Sequence, residues 1–172
     1  MDEGNGGYAR NHLLITSQHV VRGTVVPCPG RLSDVLRRSA RRWLPVEDAE
    51  ITPLVSVAQA SPRTIPGLRL SRSSVLLAHE YVALGGDRHQ RTRDQEVPSL
   101  AVTVVFEPLP GVTLHGRLRE KKLEKEEQLL VLFEAEIAGM GEDARALAAT
   151  VSGLPYLLVN LERAESVIVS PT

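Results

Sequence analysis

Trp43-Leu44-Pro45-Val46-Glu47-Asp48-Ala49-Glu50-Ile51 and, far downstream, Leu129-Leu130-Val131-Leu132-Phe133-Glu134-Ala135-Glu136-Ile137 follow one pattern. Both place Leu second, an aliphatic residue fourth, an acid sixth and Ala-Glu-Ile at the end. On propensity alone the second stretch reads as a helix, because residues 120–137 are rich in Glu, Lys and Leu. The first stretch contains Pro45, which inside a helix would remove a hydrogen bond and clash with the preceding turn. If the two share a conformation, residues 128–137 form a strand and residues 120–127 a charged hairpin tip. A helix over 120–137 remains the rival reading.

Two further blocks correspond in the same order. Val20-Val21-Arg22-Gly23-Thr24-Val25 matches Thr113-Leu114-His115-Gly116-Arg117-Leu118, and Val75-Leu76-Leu77-Ala78-His79 matches Tyr156-Leu157-Leu158-Val159-Asn160. The first is a strand with an internal glycine, so Gly23 and Gly116 are expected where a strand bends sharply or lies close to a neighbour. In the second, His79 and Asn160 are expected to bond backbone groups at a strand bend. Three blocks in order imply an internal repeat.

The boundaries follow from composition. Residues 1–10 are Gly- and Asn-rich and read as a flexible tail. Residues 87–99 belong to a polar stretch that begins at Gly85-Gly86 and ends in Pro98-Ser99, which is linker composition. This leaves a first small β domain at 11–86 and a second, shortened one at 100–172. Short β-branched runs at 12–16, 20–26, 102–106 and 112–118 supply strands. Pro108-Leu109-Pro110-Gly111 supplies a turn. Stretches 74–84 and 155–169 close each half with one bent strand or two.

Arg31-Leu32-Ser33-Asp34-Val35-Leu36-Arg37-Arg38 reads as a short helix, with Ser33 or Asp34 as its N-cap and Leu32, Val35 and Leu36 on one apolar face. A second short helix is plausible over 142–150, after a Gly139-Met140-Gly141 turn. The expected fold is therefore mainly β: two tandem small β-barrel-like domains, the first with one short helix. Domains this small bury limited apolar surface, so packing of the halves together, or against another copy, is expected.

The segments Arg22-Gly23-Thr24-Val25-Val26, Gly30-Arg31-Leu32-Ser33-Asp34-Val35-Leu36 and Leu44-Pro45-Val46-Glu47-Asp48-Ala49 together resemble a family of small uncharacterised bacterial proteins. The likeness covers residues 13–84 and extends weakly to the second half, which lacks the Arg-Leu-Ser-Asp segment. It implies no activity. The general layout is also similar to Sm-like and Src-homology-3-like small barrels, an analogy of fold that licenses no ligand.

Composition narrows the function classes. A net charge of −1 gives no global field toward DNA or anionic membranes, and an aromatic share of 3% leaves few rings to stack on bases. Charge is unevenly placed: residues 1–86 carry ten Lys/Arg against seven Asp/Glu, and residues 100–172 carry seven against eleven. Cys28 is the only cysteine, so no intrachain disulfide forms. No signal-like start and no membrane-length apolar run is visible, which sets the expectation of a cytoplasmic protein away from membranes. Arg31, Arg37, Arg38, Arg41 and Arg42 form the strongest local feature and could grip phosphate or an acidic partner. The histidines are scattered without metal-ligand spacing, and the acids at 120–136 alternate with lysines, so no catalytic residue, metal or cofactor is expected. The first reading is a non-enzymatic binding or assembly module that docks a protein partner or another copy of itself. A nucleic-acid-binding protein using the Arg31–Arg42 patch is the second, and a small-ligand binder or enzyme with a site between the halves is the third.

Overall fold

The computed structural model describes residues 11–37, 40–54, 61–81, 99–119, 123–124 and 126–171. The expected tail and nearly all of the expected linker lie outside them. The fold is mainly β: ten strands form one antiparallel sheet, with two α-helices among the described residues. The first half contributes β1 (His12–Ile15), β2 (His19–Val25), helix α1 (Leu32–Arg37), β3 (Trp43–Pro53), β4 (Arg63–Ser71) and β5 (Leu77–Glu80). The second contributes β6 (Leu100–Phe106), β7 (Val112–Leu118), β8 (Leu129–Gly139), helix α2 (Glu142–Val151), β9 (Tyr156–Asn160) and β10 (Ala164–Pro171). Residues 129–139 are a strand, as Pro45 in the matching stretch argued. A 3-10 turn precedes the last strand of each half, at Arg72–Ser74 and Leu161–Arg163.

The strand order is β10-β6-β7-β8-β9-β5-β1-β2-β3-β4. Within each half the fifth strand lies beside the first, followed by the second, third and fourth. The expected closed barrels are not formed. The strand that would close the first half, β5, pairs with β1 on one side and with β9 of the other half on its second side. The sheet therefore stays open, with β4 and β10 as its two edges.

Strand β4 was not expected from sequence, because Pro66-Gly67 interrupts it. Proline removes one ladder donor and is tolerated at a sheet edge, which is where β4 lies. The short helix read over 142–150 is present as α2, so helices are not confined to the first half. It packs on β8 through Ala144, Leu147 and Val151, a spacing that keeps one face buried.

Gly23 and Gly116 sit at β-bulges. Arg22 pairs with Glu50 and Thr24 with Glu47, so two residues of β3 face Gly23 alone. His115 pairs with Glu136 and Arg117 with Phe133, the same irregularity around Gly116. Opposite each glycine an acidic residue adopts the left-handed backbone region, Asp48 at φ 49° and Glu134 at φ 51°. Non-glycine residues rarely do so.

The third sequence correspondence fails. Residues 77–80 form a fifth strand and residues 156–160 a fourth, and the two pair with each other, Leu77 with Val159 and Ala78 with Leu158. They are partners across the seam between the halves. By position within the sheet, Asn160 corresponds to Ser71, since each precedes a 3-10 turn.

Two apolar clusters fill the core, and neither respects the midpoint of the chain. One joins the second half to Leu13, Ile15, Val20, Leu54, Leu76 and Leu77 of the first. The other joins Leu14, Val21, Leu44, Val46 and the α1 residues Leu32, Val35 and Leu36 to Leu129 and Leu158 of the second. Strand β1 is consequently buried on both faces.

Candidate functional site

Of the five expected arginines, Arg38 lies outside the described residues. Arg31, Arg37, Arg41 and Arg42 are all exposed. Their charges go in different directions. Arg41 Nη1 donates to the Pro27 carbonyl at 2.9 Å, and Arg37 reaches Glu127 of the second half at 3.7 Å. The Arg42 guanidinium lies 5.5 Å from the Trp43 ring centre, and the field of Arg31 acts on Glu80. These four do not converge as a phosphate clamp would.

Neither Ser33 nor Asp34 caps α1, because the helix begins at Leu32 and both lie inside its first turn. The Arg31 carbonyl accepts from the Asp34 and Val35 amides. The amide of Leu32 instead donates to Glu80 Oε2 at 3.3 Å, so a carboxylate from β5 closes the helix start. Asp34 still opposes the helix dipole favourably.

Beneath this helix start lies a group that residue spacing did not reveal. His12, Cys28 and Glu80 bring their imidazole, thiol and carboxylate atoms within 4.8 Å of one another. His12 and Glu80 face each other in the β1·β5 register, and Cys28 enters from the loop after β2. A cleft of about 260 Å³, lined by Pro29, Gly30, Asp34, Val35 and Arg41, opens beside the loop.

The proton positions decide what this cluster can do. The Val25 amide donates to His12 Nδ1 at 2.9 Å, so the neutral ring carries its proton on Nε2, 3.7 Å from Glu80 Oε1. Burial holds the His12 pKa down to about 4, so the ring is neutral near pH 7. Burial, then the Glu80 charge, push the Cys28 thiol up, and Cys28 Sγ donates to the Gly30 carbonyl at 3.5 Å. Burial also raises Glu80, against the pull of the Leu32 amide.

A nucleophilic cysteine needs an unprotonated ring nitrogen facing it and a lowered pKa. Here Nδ1 is occupied by a backbone donor, Nε2 holds the proton, and the thiol is shifted the wrong way. A cation would likewise need a free ring lone pair, and the only one is committed to Val25. The cluster therefore ties β1, β2, β5 and α1 together.

His79 bonds backbone from within β5 and not at a strand bend: its Nδ1 donates to the Tyr156 carbonyl at 2.9 Å across the seam. Its ring stands edge-on to Tyr81 and tilts over Tyr156, and burial lowers its pKa. Asn160 Nδ2 donates to the Val75 carbonyl at 2.9 Å, also across the seam, and its Oδ1 accepts from the Glu162 amide. Both residues fasten the halves together.

A pH dependence follows from His12. A folded-state pKa depressed below the unfolded value means that stability is complete above about 6.5 and lost as pH falls toward about 4. A depression of this size corresponds to about 3 kcal/mol, partly offset by Glu80, whose raised pKa acts in the opposite sense. The unfolding temperature is expected to drop between pH 7 and pH 4.5, and His12→Gln to flatten that drop. An equally steep profile in the variant would assign the loss to other groups.

No protein-family model, curated protein or solved structure matches the chain. No described helix is long and apolar enough to cross a membrane.

Proposed function

We propose that the chain is a non-enzymatic assembly module, made of one five-strand unit repeated twice, whose working surfaces are the two open sheet edges. The observation that carries this reading is the sheet itself: ten paired strands ending in β4 and β10, neither paired on its outer side among the described residues. An open edge presents unpaired backbone donors and acceptors, and strand addition is a common mode of protein docking.

Support for the repeat comes from the shared strand order, the bulges at Gly23 and Gly116, the left-handed acids at Asp48 and Glu134, and the paired 3-10 turns. The non-enzymatic part rests on the His12–Cys28–Glu80 cluster, whose protons and backbone bonds leave no activated group. Membership of the bacterial family resembled by residues 13–84, and work in the cytoplasm, belong to the same proposal.

The test is light scattering on the purified protein at low and high salt, with and without a mixed DNA and RNA pool. The expected result is a mass above the single-chain 18.8 kDa that nucleic acid leaves unchanged. A single-chain mass that rises with nucleic acid at low salt and falls back at high salt would replace this reading with one centred on the arginines.

A further inference from the structure

The seam inside the chain is a junction between a fifth strand and a fourth: β5 of the first half against β9 of the second. The two sheet edges are the same two kinds of strand left over, β4 being a fourth and β10 a fifth. Resting on the assembly reading above, we infer that the partner is a second copy of this chain, with β10 of one copy pairing antiparallel to β4 of the next as β5 pairs with β9.

Register makes the match specific. Ala78 pairs with Leu14, and Val167 pairs with Val104, at the same distance from the bulges at Gly23 and Gly116. Leu158 pairs with Val131 and Arg69 with Pro45, each three residues before a left-handed acid. The Ala78–Leu158 pair of the seam thus predicts a Val167–Arg69 pair between copies.

The backbone is set for it. At the seam the Asn160 amide donates across to the Leu76 carbonyl at 2.9 Å, while the next amide, Leu161, turns inward to Gln128. At the β4 edge the Arg72 amide likewise turns inward to Arg42, which directs the amide of Ser71, at the place of Asn160, off the edge.

Exposed apolar side chains mark the same surfaces. Among the described residues three large ones are exposed: Trp43 (48%), Met140 (95%) and Ile168 (58%). Their counterparts by register are Leu129 (2%), Leu54 (0%) and His79 (3%), all buried among residues of the other half or bonded to it. Each exposed side chain therefore occupies a place that the internal seam covers. Trp43 lies toward the β4 end, and Met140 and Ile168 belong to the half that ends in β10.

Charge favours the head-to-tail arrangement over two like edges. Strand β4 carries Arg63 and Arg69 with no acid, and β10 carries Glu165 with no base. Two ion pairs that bridge the halves among the described residues have the same polarity, Arg72 to Glu162 at 3.3 Å and Arg37 to Glu127. Because the two surfaces differ, the contact is heterologous and propagates until a ring closes.

The decisive experiment uses two surface variants, Trp43→Asp to disable the β4 end and Ile168→Asp to disable the β10 end, weighed by light scattering over a concentration series. The wild type is expected above single-chain mass, each variant alone at single-chain mass, and an equimolar mixture at a two-chain mass and no higher. Arg69→Pro and Val167→Pro, which remove donors directed off the edges, should repeat this pattern with unchanged circular dichroism. Dimers that persist in one variant alone would overturn head-to-tail pairing in favour of like edges. Oligomers that persist in all four variants would overturn it while leaving the assembly reading intact. A wild type at single-chain mass at every concentration and salt would overturn both.

Discussion

Residues 99–171 expressed alone are expected to be unfolded or aggregated, although they contain five complete strands and a helix. Separation would uncover the second half's core where Leu13, Ile15, Val20, Leu54, Leu76 and Leu77 now cover it. Fully burying one such side chain contributes about 1.5–3 kcal/mol, and the whole stability of a domain is about 5–15 kcal/mol. Losing six contacts of this kind exceeds what so small a unit can spare. The cut also removes the Leu76 carbonyl that accepts from Asn160 and the Val75 carbonyl bound by its side chain. Circular dichroism and thermal unfolding of this fragment check the expectation. Cooperative unfolding within a few degrees of the intact chain would mean that the halves are independent.

Gly23→Val is expected to be strongly damaging, well beyond Gly116→Val. A Cβ at Gly23 would lie 2.5 Å from Val46 Cγ1 and 2.9 Å from the Glu47 carbonyl oxygen, a backbone atom that cannot move aside cheaply. At Gly116 the nearest approaches are 3.2 Å to Leu132 and 3.3 Å to the Phe133 carbonyl, which a small shift relieves. Overpacking typically costs about 1–3 kcal/mol, and Gly23→Val belongs at or above the top of that range. At about 2–4 °C per kcal/mol for a chain of this size, the Gly23 variant should lose of the order of ten degrees and the Gly116 variant a few. Equal losses would mean that the first bulge relaxes as easily as the second. No loss at Gly116 would count against equivalence of the two bulges.

Both predictions rest on places where sequence and structure differ in what they reveal. The bulge glycines were legible because a glycine inside a β-branched run marks a bend or a close approach of two backbones. The strand character of residues 129–137 was legible because Pro45 forbids a helix in the matching stretch. Strand β4 was hidden by Pro66-Gly67, since a proline removes a ladder donor and is tolerated most readily at an edge, and edge status belongs to the sheet. The pairing of β5 with β9 shows in the sequence only as likeness, since two aliphatic strands that pack together resemble two that repeat each other. The cluster under α1 left no spacing signature: His12 and Glu80 meet only because β1 and β5 are neighbours.

Sequence alone determined the mainly β class, the strand positions that alternate or bend around glycine, the apolar face of α1 and the uneven charge of the two halves. These are local properties, set by propensity, by period and by proline and glycine. Tertiary structure decided which strands are edges, that the barrels stay open, that each half completes the core of the other, and which nitrogen of His12 holds the proton. Those outcomes depend on contacts between residues distant in sequence, and the energies that select them arise only when the strands are brought side by side.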